Sequence, residues 1–283
     1  MAEQYRSGCS ALRHVFCQNT PLLASFPPIF ASAAPHEAFR PSPPTVKLDR
    51  LLQAQGFGSR RQCRQLVELG EVRVRGDVVD DPDAAIDTAG LTYEVAGEAW
   101  IYREKTYLAL FKPAGFECSH EPKHHRSVYS LLPHPLVVRN VQSVGRLDVD
   151  TTGLLLFSDD GAFIHTLSSP KKHVPKIYRA ELAEPAADTL VPRLLAGVDL
   201  IDEPRPVAAL DACLRGPTTL EMRLDLGKYH VVKRMIAAAG NHVQTLHRSG
   251  FGGLSLGEGP LAGLAEGQFI YLDADALRQL RAV

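Results

Sequence analysis

Apolar positions change period several times along this chain, and the changes mark its elements. Leu48, Leu51 and Leu52 recur at helical spacing, and Gly56 closes that helix. Ser59-Arg60-Arg61-Gln62 has the form of a capping box, with Ser59 as N-cap and Gln62 at the third helical position. It introduces a second helix that turns Cys63, Leu66 and Val67 inward and stops at Gly70. Glu71-Val72-Arg73-Val74-Arg75 then alternates as a strand, with Gly76-Asp77 as its turn. Tyr107-Leu108-Ala109-Leu110-Phe111 reads as a strand. Leu220, Met222, Leu224 and Leu226 alternate with Glu221, Arg223 and Asp225, the pattern of a sheet with one wet face and antiparallel pairing. Asp160 is placed to cap a short helix over 161–168 that Pro170 ends. Val231, Val232, Met235 and Ile236 give a helix over 229–239 an apolar stripe, closed by Gly240-Asn241.

The first residues keep no period. Pro21, Pro27, Pro28, Pro35, Pro41, Pro43 and Pro44 interrupt them, and residues 1–45 are expected to form a disordered extension. A compact unit over 46–95 and an α+β domain over 104–283 follow, and 283 residues suit two domains. With 45% hydrophobic and 22% charged residues the composition is that of a soluble globular protein, and no apolar run approaches the roughly 18 residues of a membrane span. Five scattered cysteines without a Cys-x-x-Cys pair point to reduced thiols in a cytoplasmic protein rather than to disulfides or a zinc site. The net charge of −1 argues against a protein that is basic throughout. Between Val46 and Gly76, however, seven basic residues stand against three acidic ones. Arg60, Arg61 and Arg64 lie near one side of the second helix, where they can reach phosphates, and Arg73 is on the strand that follows.

Gly145-Arg146-Leu147-Asp148-Val149-Asp150-Thr151-Thr152-Gly153 sets a carboxylate in a glycine-bounded, threonine-rich loop between two short apolar segments, Val141-Gln142-Ser143-Val144 and Leu154-Leu155-Leu156-Phe157. Alone, Asp148 there is equally a turn cap. Together with other segments it resembles the nucleophile motif of RNA pseudouridine synthases, in the RsuA-type branch that acts on ribosomal RNA. Lys112-Pro113-Ala114-Gly115 is similar to that family's first motif, with Phe111 where asparagine is common. Lys176-Ile177-Tyr178 resembles its Lys-x-Tyr motif. Gly227-Lys228-Tyr229-His230-Val231-Val232-Lys233-Arg234-Met235 resembles its third motif, with Val231 replacing a usual glutamine. Gly240-Asn241-His242-Val243 and Leu246-His247-Arg248 continue the match. The small unit resembles an S4 RNA-binding domain.

The resemblance implies an α+β fold with a mixed, mostly antiparallel sheet around an RNA cleft. It implies Asp148 as the catalytic carboxylate, Lys233 as its basic partner, and Tyr178 as the ring against the extruded uracil. Val232 is expected as an apolar floor, and Arg146 and Lys112 at the RNA, with Arg60, Arg61, Arg64 and Arg73 docking through phosphates. The isomerisation needs neither redox change nor phosphate energy, so no cofactor or metal is expected. His120, His124 and His125 lack the spacing of a metal site, and no nucleotide-binding glycine loop occurs. The expected partner is ribosomal RNA or a small-subunit assembly intermediate, engaged by a monomer, with uridine 516 of 16S rRNA as the target. A synthase acting on 23S rRNA and a non-catalytic assembly factor remain the alternatives.

Overall fold

The computed structural model describes residues 45–282, so the extension expected over 1–45 lies, but for its last residue, outside them. The small domain contains β1 (Thr45–Lys47), α1 (Leu48–Ala54), α2 (Arg60–Glu68), β2 (Val72–Val74), β3 (Asp77–Val78), β4 (Ala85–Asp87), β5 (Thr92–Val95) and β6 (Glu98–Ile101). Strands β3-β2-β5-β6 form one antiparallel sheet and β1 pairs with β4. Because β6 belongs to this sheet, the domain runs past residue 95. The capping box forms as expected: the Ser59 hydroxyl accepts the Gln62 N–H, and the Gln62 side chain accepts the Ser59 N–H at 2.8 Å. The turn between β2 and β3 is one residue earlier than the sequence suggests, centred on Arg75 (φ 52°) and Gly76 (φ 96°). Leu48, Leu51, Leu52, Cys63, Val67 and Val72 are fully buried together and make the core.

The larger domain contains β7 (Tyr107–Lys112), β8 (Phe116–Glu117), β9 (Arg126–Ser127), α3 (His134–Val138), β10 (Gln142–Ser143), β11 (Thr151–Ser158), α4 (Gly161–Ser168) and β12 (Lys176–Leu182). After these come α5 (Leu190–Ala196), β13 (Asp211–Leu214), β14 (Thr219–Leu224), α6 (Val231–Ala238), β15 (Val243–Phe251), β16 (Leu254–Ser255), β17 (Phe269–Tyr271) and α7 (Ala274–Arg281). Nine of these strands build one sheet in the order β13-β14-β12-β15-β11-β7-β17, with β10 beside β11 and β16 beside β15, while β8 and β9 pair with each other. Among the described residues β11 against β15 is the one parallel pair of this sheet, as the mixed, mostly antiparallel expectation has it.

Both faces of the central strands are covered. Leu155 and Phe157 of β11 face one core with α3, α5 and α6, while Leu154 and Leu156 face the other with α4 and α7. Burial on both faces is why this strand reads as a continuous apolar run rather than an alternation. Asp160 caps α4 by accepting the N–H groups of Ala162 and Phe163. Helix α6 is shorter than its apolar stripe suggests. It starts after His230, which sits in the left-handed region (φ 48°).

The two domains meet through α3. The Arg139 guanidinium donates to Gln55 Oε1 (3.1 Å), to the Arg103 carbonyl (2.9 Å) and, through Nε, to Asp159 Oδ2 (3.0 Å). Gly56 lies so close to Pro135 that a Cβ on it would stand 2.0 Å from the Pro135 carbonyl oxygen. Only glycine permits that approach.

Candidate active site

The segment carrying Asp148 is a loop up to Asp150, because β11 already begins at Thr151, three residues before the apolar run Leu154–Phe157. What holds this loop is Lys112 at the end of β7. Its side chain is fully buried, and its ammonium donates to the carbonyls of Pro113 (2.9 Å), Asp148 (3.1 Å), Val149 (3.3 Å) and Thr151 (2.8 Å). The Gly115 N–H adds a bond to the Val149 carbonyl at 2.7 Å, and the Thr151 N–H bonds the Asp148 carbonyl at 3.1 Å. Burial depresses the Lys112 pKa, and the bonds to four carbonyl oxygens are its recompense for leaving water. Lys112 is therefore no RNA contact: with no exposed surface, it acts as a clamp that positions the backbone of the Asp148 loop. The glycine that ends the motif is also explained. Gly153 (φ 113°) is paired with Arg248 across the parallel strands, and a Cβ there would stand 2.2 Å from the Arg248 carbonyl oxygen.

The loop faces a cleft of about 710 Å³, lined by Arg146, Asp148, Tyr178, His230 and Lys233 among others. Arg146 is exposed at its rim. The Asp148 side chain is 28% exposed, with His230 Nε2 3.2 Å from Oδ1 and Lys233 Nζ 3.6 Å from Oδ2. Lys233 lies nearer Asp150, donating to both of its carboxylate oxygens at 2.7 and 2.8 Å. Those bonds pull the Asp150 pKa below the ordinary carboxylate value. Lys233 is thus shared between two aspartates rather than dedicated to Asp148. His230 was not singled out from sequence, although it stands in the Tyr-His-Val-Val-Lys-Arg-Met segment. Its ring is stacked on that of Tyr229, with centroids 3.8 Å apart and planes 19° apart.

Tyr178, on the central strand β12, has its ring buried against the cleft. Val232 lines a smaller hollow adjoining the cleft, which also touches Asp148 and Tyr178; Val231 lines both the hollow and the main cleft. Two further cations were not anticipated. Lys176, two residues before Tyr178 on the same strand face, is 6% exposed, and Arg248 on β15 is 2% exposed; both line the cleft. Burial, with the Arg248 charge adding to it, pushes the Lys176 pKa down to about 8.

The arginines of the small domain divide. Arg60 Nε (2.8 Å) and Arg64 Nη1 (3.0 Å) both bond Oδ2 of Asp49, whose carboxylate is completely buried, and Arg64 Nη2 bonds Asp83 at 3.1 Å. Burial alone would raise the Asp49 pKa, but the two guanidinium partners outweigh it and leave it below the ordinary value. Part of Arg60 and Arg64 therefore serves the fold, correcting the view of that helix face as purely RNA-directed. Arg61 and Arg73 are exposed. In the loop that carries His120, His124 and His125, the Glu117 carboxylate accepts the N–H groups of Lys123, His124 and His125. Among the described residues no His/Cys/Asp/Glu cluster suited to a metal ion occurs, and no helix is long and apolar enough to cross a membrane.

Comparison with known proteins agrees with this geometry. The sequence pattern of the RNA pseudouridylate synthase family matches residues 106–238, and that of the S4 domain matches residues 46–88. A ribosomal small subunit pseudouridine synthase A of Vibrio parahaemolyticus is 35% identical over 218 residues, covering 75% of this chain and 91% of that protein. An uncharacterised RNA pseudouridine synthase of Bacillus subtilis, YtzG, is 34% identical over 238 residues, covering 83% of this chain and 98% of that protein. A crystal structure of a pseudouridylate synthase superposes with a TM-score of 0.58 at 31% identity, covering 83% of this chain and 99% of that one.

Proposed function

Since this chain belongs to the RNA pseudouridine synthase family, and so to the isomerases, with an S4 domain ahead of its catalytic domain, we propose that it converts one uridine of small-subunit ribosomal RNA to pseudouridine with Asp148 as the catalytic carboxylate. The observation that carries this reading is the Asp148 carboxylate, exposed to the cleft 3.2 Å from His230 and 3.6 Å from Lys233, on a loop whose backbone is clamped by Lys112. The reaction breaks the bond from ribose C1′ to N1, turns the base, joins C1′ to C5, and moves one proton from C5 to N1. A positioned carboxylate is the one nucleophile it requires. His230 Nε2 and Lys233 Nζ flank the two oxygens of the Asp148 carboxylate and orient it in a site that loses water when a base enters. The Lys233–Asp150 bonds keep that ammonium from closing fully on the nucleophile.

Tyr178 offers its ring to the flipped-out uracil, and the hollow at Val232 receives apolar base surface. Arg146 at the rim contacts the RNA backbone or fills the space the base vacates. Arg61 and Arg73 carry the phosphate contacts of the S4 domain, helped by the exposed parts of Arg60 and Arg64. The protein acts as a monomer, without metal or cofactor.

The name of the Vibrio relative supports a small-subunit target, and the resemblance of the Asp148 and Tyr-His-x-Val-Lys-Arg-Met motifs points to uridine 516 of 16S rRNA. Replacing Asp148 by Asn keeps its shape and removes the nucleophile. Pseudouridine formation is expected to fall more than about a thousandfold while RNA affinity holds. Turnover above that level would refute the assignment of Asp148. Pseudouridine mapping of rRNA with and without the gene tests the target: a signal lost from 23S rRNA, or none lost at all, would overturn the small-subunit reading.

A further inference from the structure

Lys176 and Arg248 form a pair of buried cations with no carboxylate in contact, Asp225 acting on Lys176 only from beyond ion-pair distance. Lys176 Nζ and the Arg248 guanidinium carbon each lie 5.2 Å from the centroid of the Phe251 ring, at the wall of the cleft that holds Asp148. Among the described residues neither is within ion-pair distance of a carboxylate. The acidic side chains of the neighbourhood are taken: Asp148 by His230 and Lys233, Asp150 by Lys233, and Asp225 by His173 Nδ1 at 2.6 Å. Arg248 spends Nε–H on the Leu154 carbonyl at 2.7 Å, but its Nη2 is buried with no hydrogen-bond partner. Two nearly buried cations against one aromatic ring are costly unless an anion completes them. An apolar residue at either position would serve a merely structural core better.

The chemistry of the substrate supplies such an anion. Uridine is neutral, but it enters the cleft attached to two phosphodiesters, each with one negative charge. We infer that Lys176 and Arg248 form a phosphodiester subsite that takes a backbone phosphate flanking the target uridine. Arg248 Nη2 and Lys176 Nζ donate to its non-bridging oxygens, forming charge-assisted hydrogen bonds in a desolvated setting. The phosphate thereby anchors the sugar whose C1′ must face Asp148, while Tyr178, two residues along β12 from Lys176, holds the base. This inference rests on the reading of the cleft as the site of a flipped-out uridine.

The test uses the full chain carrying Asp148→Asn, so that the RNA stays unconverted, and target-site RNA in which single phosphates are replaced by neutral methylphosphonates. Neutralising one linkage next to the target uridine should weaken binding about tenfold. Adding Lys176→Met should weaken binding of unmodified RNA by a similar factor, reduce the salt slope by up to about one unit, and abolish the penalty at that linkage. Arg248→Lys, which keeps the charge but not the fork, should lower the same penalty part-way. The inference is overturned if no flanking linkage stands out by more than twofold, a result that needs no variant beyond Asp148→Asn. It is equally overturned if Lys176→Met, folded by its melting curve, leaves the linkage penalty unchanged. With the native Asp148 in place, a chain that forms pseudouridine yet shows no linkage effect refutes the subsite alone. A chain that forms none refutes the reading of the cleft.

Discussion

Lys112→Met tests whether the clamp beneath the catalytic loop is what holds it. Methionine keeps the apolar stem and removes the ammonium, so the volume change is small and the loss is of hydrogen bonds. An ammonium has three N–H groups, shared here among four carbonyls. The Asp148 and Val149 carbonyls retain a bond each, from the Thr151 and Gly115 N–H groups. The Lys112 bonds to Pro113 and Thr151 are lost outright. At about 1–3 kcal/mol for each buried polar group deprived of its partner, the loss is roughly 2–6 kcal/mol. Relief of the buried ammonium returns part of it, leaving a net cost of about 2–4 kcal/mol. For a chain of this size that lowers the melting temperature by roughly 5–15 °C. A loop relaxed by about 1 Å also misplaces Asp148, at about a hundredfold in the chemical step. Thermal unfolding, RNA binding and single-turnover pseudouridine formation separate these effects. Reduced turnover with a lowered melting temperature and near-normal RNA affinity is expected. A variant that melts within 2 °C of the native chain but binds RNA poorly would show Lys112 to be an RNA contact after all, and the clamp argument would fall.

Other expectations follow from the same contacts. Replacing Arg60 and Arg64 together with alanine leaves the buried Asp49 carboxylate unpaired and should destabilise the S4 domain by about 3–5 kcal/mol, whereas Arg61→Ala should leave the melting curve unchanged and flatten the salt dependence of RNA binding; the reverse pattern would overturn the division of roles. The Lys176 pKa, lowered from 10.5 to about 8, means that the unfolded chain holds a proton in that window which the folded chain lacks. Stability from this group is therefore present above 10.5 and lost as pH falls through about 8, a difference on the order of 3 kcal/mol. In urea titrations Lys176→Met should be at least as stable as the native chain at pH 7 and should lack this gain between pH 8 and 10.5; an identical pH profile would refute the burial argument. Asp49, with its pKa held below 3.8, contributes stability present above that value and lost as pH falls further, so Asp49→Asn should be less stable than the native chain at pH 7 and converge with it in acid unfolding. Activity should survive a chelator, and its loss with recovery on adding a divalent ion, RNA structure unchanged, would reopen a metal role.

Features carried by neighbours in sequence were legible before the fold was known. The Ser59–Gln62 capping box, the Asp160 cap and the wet-faced β14 strand depend on residues two to four apart, and each formed where the pattern indicated, while the apolar run Leu154–Phe157 marked the middle of β11 but not its start. The spaced motifs also pointed to residues that meet in one cleft: Arg146, Asp148, Tyr178 and Lys233. The pattern did not reveal who touches whom across long separations. The Lys112 side chain reaches carbonyls 36, 37 and 39 residues away, and carbonyls carry no signature in sequence because every residue has one. Arg60 and Arg64 read as phosphate contacts alone, since nothing local announces that a buried Asp49, 11 and 15 residues before them, turns back to meet both. Lys233 was matched to Asp148, but the fold brought Asp150 closer, 83 residues away. Lys176 and Arg248 became neighbours only through the pairing of β12 with β15. Hydrophobic period records that a face is buried; it is silent on the partner, because the same buried face fits many registers and the packing of distant strands selects among them.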